Sequence, residues 1–185
     1  AYDWDKDGDE DILSGNTAGQ IGVITNMDGK GTRWSRPELL EVDGEPFRIM
    51  AGSNGSIQGP AEAKWGYTTF SVADWDGDGR DDFIVNSIKA ELMLLKNTGS
   101  GFTRQPLPFW TQKKPPGFYW RQTSAENLQT QWRTTPFAAD FDQDGQLDLL
   151  ILDQEGYLTC QSRSSTESRI FIDEDNKLIR LNART

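Results

Sequence analysis

Asp74-Trp-Asp-Gly-Asp-Gly-Arg-Asp-Asp82 occurs in register with two other segments, Asp3-Trp-Asp-Lys-Asp-Gly-Asp-Glu-Asp11 and Asp140-Phe-Asp-Gln-Asp-Gly-Gln-Leu-Asp148. Their starts lie 71 and 66 residues apart. Each opens on Asp-aromatic-Asp-x-Asp-Gly and carries Asp at its ninth position. Self-similarity at a fixed period is the mark of a repeat architecture, so the flanks should repeat as well.

They do. Thr69 to Ala73 and Pro136 to Ala139 precede the second and third motifs as short β-compatible runs. Ile12-Leu13, Phe83 to Val85 and Leu147 to Leu152 follow the motifs. A third run stands at Ile21 to Thr25, Leu92 to Leu95 and Tyr157 to Cys160, and a fourth at Glu38 to Val42, Phe102 to Leu107 and Arg169 to Ile172. Asn26-Met-Asp-Gly29 and Asn97-Thr-Gly99 read as turns. No segment sustains a helical period with caps. The expected fold is all-β, with four short antiparallel strands per unit, the pattern of a β-propeller blade. Units of about 1–50, 68–109 and 135–175 leave long inter-blade segments at 51–67 and 110–134. About three blades fall short of the ~4 that a propeller needs to close. The expectation is one incomplete domain over 1–185, a fragment of a larger ring. Its missing blades would come from the same longer chain or from other copies.

The motif has the chemistry of a hard-cation loop. Carboxylates at positions one, three and five can converge on one point, and Ca²⁺ takes 6–8 oxygen ligands. Glycine at position six (Gly8, Gly79, Gly145) permits a turn closed to most residues. The carbonyl of position seven (Asp9, Arg80, Gln146) adds a ligand, and Asp at position nine closes the set. The expected ligands are therefore Asp3, Asp5, Asp7, Asp9 and Asp11; Asp74, Asp76, Asp78, Arg80 and Asp82; Asp140, Asp142, Asp144, Gln146 and Asp148, with one structural Ca²⁺ per loop. An EF-hand loop would carry an acidic twelfth residue and enter a helix. Here position twelve is Ser14, Val85 or Ile151, and the chain continues into β structure. Three ions would move the net charge from −10 to −4. The aromatic at position two (Trp4, Trp75, Phe141) reads as packing between blades.

These loops, the apolar strand after each, and Leu94-Leu-Lys-Asn-Thr-Gly-Ser-Gly-Phe102 resemble the FG-GAP/VCBS repeats of integrin-α-like β-propellers. The resemblance spans nearly the whole chain. It implies a Ca²⁺-stabilised propeller exported from the cytoplasm: extracellular, periplasmic or at the cell surface. Such propellers occur in adhesion receptors, lectins and secreted polysaccharide lyases, so the fold by itself does not select the activity.

Composition removes several classes. With 29 Asp and Glu against 19 Lys and Arg, the chain repels nucleic acid phosphates. It has no histidine, which excludes a Ser-His-Asp triad, a Cys-His pair and the usual zinc hydrolase site. Cys160 is the single cysteine and reads as a buried structural thiol. No apolar run approaches the ~20 residues of a membrane span, and no signal peptide is visible in a chain that begins inside a motif.

The long segments are the candidate ligand surface. Between Arg104 and Arg133 stand five basic residues and one acid, Glu126, interleaved with aromatics. Aromatic faces pack on sugars and Arg forks bind carboxylates, which suits an anionic, uronate-containing polysaccharide. Candidate substrate-binding residues are Trp65, Trp110, Lys113, Lys114, Trp120, Trp132 and Arg133. Were the chain a polysaccharide lyase, Lys64, Tyr67, Tyr119 and Arg121 would supply the acid, base and carboxylate neutralisation. The alternative is a carbohydrate- or protein-binding adhesion module without catalysis. The Asp loops join the first and second strands of a blade and the long segments join one blade to the next. Metal and ligand should therefore lie at opposite ends.

Overall fold

A computed structural model of the chain describes residues 1–52, 60–107, 130, 133–152, 158–161 and 169–170. Thirteen strands are described, in three sheets. The first holds β1 (Ile12–Gly15), β2 (Ile21–Ile24) and β3 (Glu38–Leu39). The second has the order β5-β4-β9-β8-β7-β6, from β4 (Glu41–Val42), β5 (Glu45–Pro46), β6 (Thr69–Ala73), β7 (Asp82–Asn86), β8 (Met93–Asn97) and β9 (Phe102–Pro106). The third runs β10-β11-β12-β13, from β10 (Pro136–Ala139), β11 (Asp148–Leu152), β12 (Leu158–Gln161) and β13 (Arg169–Ile170). The one helical element described is a 3-10 turn at Pro60–Lys64. No helix among the described residues is long and apolar enough to cross a membrane.

The strand, Asp loop, strand, turn, strand, turn, strand order holds in the second unit, and the third has the same four strands with its Asp loop after the first of them. In the first unit Tyr2 and Asp11 form an antiparallel bridge ahead of β1. The fourth run departs from expectation there. Glu38 to Val42 is not one strand but splits at Leu40: Glu38–Leu39 pairs with β2, while Val42 pairs parallel with Phe102 at the edge of the second sheet. Leu40 is the pivot, because its side chain is buried in the core while its backbone bonds Ile21 and Phe47. A buried apolar side chain at that point forces the chain from one sheet onto the next.

Alternation along the strands decides how the sheets stack. In β2, Ile21 and Val23 are buried while Gly22 and Ile24 face outward. Ile21, Leu40, Phe47 and Ile49 meet Phe83, Val85, Met93 and Leu95 in one core between the first and second sheets. The central strand β7 is buried at all five positions, since it is covered on both faces. Its other face contributes Ile84, which with Leu92, Leu94 and Leu107 meets Leu149 and Ile151 of the third sheet. The opening strands β6 and β10 lie side by side, linked by Thr69 Oγ1 donating to the Thr134 carbonyl at 2.8 Å and by the Ala138 amide donating to Ser71 Oγ at 3.3 Å. Among the described residues the three sheets thus stack face to face in sequence order and do not close into a ring. Cys160 is buried in β12, as expected.

Position two lies between sheets in the first two motifs but not in the third. Trp4 stacks on Phe102 and tilts against Phe83, with centroids 6.1 and 5.4 Å away. Trp75 is buried in the second core. Phe141, in the last loop, is 43% exposed.

Three backbones cross at the end of the sheets remote from the Asp loops. A Cβ on Gly66 would lie 2.3 Å from the Ile49 carbonyl oxygen and 2.5 Å from Gly19 Cα, both backbone atoms that cannot swing away. Gly66→Ala should therefore cost about 1–3 kcal/mol or more. Gly22→Ala, whose Cβ meets nothing closer than 3.7 Å, should stay within about 1 kcal/mol of wild type. Urea denaturation of the two variants checks the contrast.

Candidate metal centre

The three Asp loops share most of their backbone bonds and can be described together. The position-one carboxylate caps the turn: Asp74 accepts the Asp78 and Gly79 amides at 2.9 Å each, Asp140 accepts Asp144 and Gly145 at 3.0 Å, and Asp3 accepts Gly8 at 3.2 Å. Position five accepts the amide of position seven, at 3.1 Å for Asp7, 3.0 Å for Asp78 and 2.8 Å for Asp144. The backbone is left-handed at position six, as the glycines imply. It is also left-handed at position four: Lys6 (φ 63°), Gly77 (76°) and Gln143 (61°). Only Gly77 meets that demand without a steric cost.

Position nine anchors the loop from below. Asp11, Asp82 and Asp148 are all but inaccessible to solvent. Their Oδ2 atoms accept the position-two amides of Trp4 (2.9 Å), Trp75 (3.2 Å) and Phe141 (3.2 Å). Asp11 Oδ1 and Asp82 Oδ1 also accept the amides of Asn26 (2.8 Å) and Asn97 (2.7 Å), the first residues of the turns after β2 and β8. Burial nonetheless pushes the Asp82 carboxyl up, against the pull of these two amides.

Carboxylate oxygens converge above this base. Asp3, Asp5 and Asp11 each bring an oxygen within 4.8 Å of the others, as do Asp74, Asp76 and Asp78, and Asp140, Asp142 and Asp148. Asp7, Asp9, Asp82 and Asp144 lie outside these triples. Such a donor set is all oxygen, the preference of a hard cation. In the first loop Asp3 Oδ1 and Asp9 Oδ1 are buried with no hydrogen-bond partner, which a cation would remedy. Desolvation, then the charges of Asp7 and Asp11, push the Asp5 and Asp9 carboxyls up. The first loop therefore fits a bound ion.

The second loop differs through residues the motif did not single out. Lys96 Nζ pairs with Asp76 Oδ2 and lies 3.5 Å from Asp78 Oδ2. Arg80, expected to give only its carbonyl, has its guanidinium on Asp78 Oδ2 while Nε donates to the Asn97 carbonyl at 3.0 Å. The hydrogen bond from Lys96 holds the Asp76 carboxyl below its ordinary value. Lys6 of the first loop turns away from its own carboxylates and pairs with Asp81 of the second at 2.7 Å.

The opposite end carries the other candidates. β7 runs from Asp82 to Asn86, so the two ends of its sheet are ~13 Å apart at ~3.4 Å per residue. Here the structure brings together Trp65, Tyr67 and Arg133. The Arg133 guanidinium lies 3.6 Å from the Tyr67 ring centroid, and Trp65 meets Tyr67 edge-on at 5.7 Å. Arg133 Nη2 donates to Glu62 Oε1 at 2.8 Å. Glu62, buried at the 3-10 turn, was not foreseen. Neither was Arg48, whose guanidinium holds the carbonyls of Ala18 and Lys64 at 3.1 and 3.2 Å. Trp65 is 41% exposed, and Lys64 is exposed beside it. Trp110, Lys113, Lys114, Tyr119, Trp120, Arg121 and Trp132 lie outside the described residues.

Residues 74–151 match the model of the FG-GAP-like repeat. The chain carries an FG-GAP repeat. The match begins on the first Asp of the second loop and takes in the whole third loop, so it covers two of the three loops described above. An FG-GAP repeat supports a β-propeller-like adhesion or binding module. No curated protein and no solved structure matches the chain.

Breaking the Glu62–Arg133 pair tests the architecture of the opposite end. Glu62 is buried and the Arg133 side chain is 30% exposed. Arg133→Ala should therefore cost about 2–3 kcal/mol, somewhat below the ~3–5 kcal/mol of a fully buried pair. Combining it with Glu62→Gln should recover part of the loss. Chemical denaturation of the single and double variants checks both.

Proposed function

We propose that this FG-GAP repeat chain is a calcium-stabilised binding module that works outside the cytoplasm. Its Asp loops hold structural Ca²⁺, and its opposite end recognises an anionic glycan. One observation carries the metal part: in all three loops the carboxylates of positions one and three converge with a third, and the first loop has two buried, unpartnered oxygens. Asp3, Asp5, Asp11 and the neighbouring Asp7 and Asp9 would hold an ion in that loop, and Asp140, Asp142 and Asp148 in the third. Bound calcium supplies charge neutralisation there.

The far end supports recognition better than catalysis. Tyr67 is the candidate acid or base, yet one face of its ring lies under Arg133, and Arg133 faces the buried carboxylate of Glu62. That pair braces the end of the sheet. Trp65 remains available as a flat apolar platform with Lys64 beside it, the combination suited to a sugar ring bearing a carboxylate.

Two measurements test the proposal. Chelation should lower the melting temperature by about 5–10 °C per emptied site. An ion at ~100 times its Kd contributes ~2.7 kcal/mol, and ~1 kcal/mol moves a domain of this size by ~2–4 °C. Added Ca²⁺ should restore it, and an unchanged melting temperature would remove the metal part. On a glycan array the chain should retain uronate-containing oligosaccharides, with binding reduced in Trp65→Ala and Trp120→Ala. Accumulation of unsaturated uronate absorbance during incubation would instead make the chain a lyase.

A further inference from the structure

The three loops share one backbone but not one charge. Fourteen residues beyond the position-nine Asp stands Thr25 in the first unit, Lys96 in the second and Ser162 in the third. Position seven is Asp9, Arg80 and Gln146. Only the second unit therefore places cations at both positions. Their side chains fold onto the loop's own carboxylates, Lys96 on Asp76 and Asp78, and Arg80 on Asp78. Both are fixed from behind: Lys96 by its place in β8, and Arg80 by the bond from Nε to the Asn97 carbonyl, with its side chain passing so near Gly99 that an added Cβ there would meet Cδ at 3.7 Å.

From this geometry we infer that the second Asp loop carries its own counter-ions, so that Lys96 and Arg80 occupy the role that an ion fills in the other two. The inference rests on the calcium reading of those two loops. Four carboxylates at positions one, three, five and nine face two cations in the second loop, a net of −2. The same positions in the first loop hold four carboxylates, and Asp9 at position seven adds a fifth where the second loop has Arg80. The one other lysine nearby, Lys6, pairs with Asp81 at position eight and leaves the first loop's converging carboxylates uncovered. Buried, unpartnered carboxylate oxygens agree: Asp3 and Asp9 of the first loop have them, and no residue of the second loop does.

A tethered ammonium is present at high effective concentration and must be displaced before an ion can enter. Displacement leaves Lys96 and Arg80 beside a divalent cation, a like-charge contact. The second loop should therefore bind calcium at least about tenfold more weakly than the others, a difference of ~1.4 kcal/mol. It should also hold its shape in chelator, where the first loop has uncompensated carboxylates.

The full chain, stripped of metal and titrated with Ca²⁺ by calorimetry and by competition with a chromophoric chelator, tests this. Wild type should bind two ions strongly, and Asp76→Asn should leave that number unchanged. The double variant Lys96→Met with Arg80→Gln should gain a third strong site. Where the double variant is too unstable to strip, Asp76→Asn alone decides. Three equivalent sites in wild type, loss of a strong site in Asp76→Asn, or no gain in the double variant would overturn the inference. If wild type binds no ion and the double variant binds one, the calcium reading of the other loops fails while this inference stands. If neither binds, both fall.

Discussion

At the base of each Asp loop, a carboxylate that solvent hardly reaches accepts the amide of the aromatic residue seven positions earlier. In the first two units its other oxygen accepts the amide that opens the turn fifteen residues later. An isolated buried charge is costly, and amide hydrogen bonds to it are among the stronger ones a backbone makes, about 1.5–3 kcal/mol each. This one residue therefore ties the start of the loop, the start of the second strand and the end of the third strand to a single point. In the first two units the aromatic at position two follows its own amide into the space between sheets, while Phe141 makes the same amide bond and stays 43% exposed. Loop and interface are thereby specified together, and the sheets stack through Trp4 and Trp75 as well as through their strands.

That arrangement divides the molecule into two ends with different electrostatics. At the loop end, carboxylates outnumber their protein partners, and what neutralises them differs from loop to loop. At the far end charges are paired internally: Arg133 with Glu62, and Arg48 with two carbonyls. The tight crossing of Gly19, Ile49 and Gly66 holds the segment that presents Trp65 and Tyr67 there. A change at one end reaches the other only through strands such as β7, whose five residues are buried throughout.

Much of this was legible in the sequence because it is periodic. The period foretold the strands of the second and third units and the packing of Trp4 and Trp75 between sheets, but not the exposure of Phe141. What escaped the reading depends on contacts distant in sequence. Nothing local in Glu38 to Val42 says that Leu40 turns the chain onto the next sheet, since the pull comes from Ile21 and Phe47. Lys96 looked like an ordinary strand-end lysine, and only the register of β8 on β7 sets it over Asp76. Glu62 sat in a Gly- and Ala-rich stretch without pattern, and its partner Arg133 lies 71 residues away. Position four of the loop gave no sign that it would be left-handed, because only Gly77 of the three residues there advertises it. The signal for Lys96 was nonetheless present: aligning the units on their ninth Asp isolates a lysine where the others have Thr25 and Ser162.

The account makes the buried position-nine carboxylate the organiser of the loop, prior to any ion. Amide hydrogen exchange of the native protein tests that most directly, at Trp4, Asn26, Trp75 and Asn97. If the carboxylates hold these amides as described, all four exchange as slowly as the amides of β7, and Trp75 and Asn97 stay protected in chelator. Exchange of Trp75 and Asn97 at the rate of exposed loop amides would contradict it.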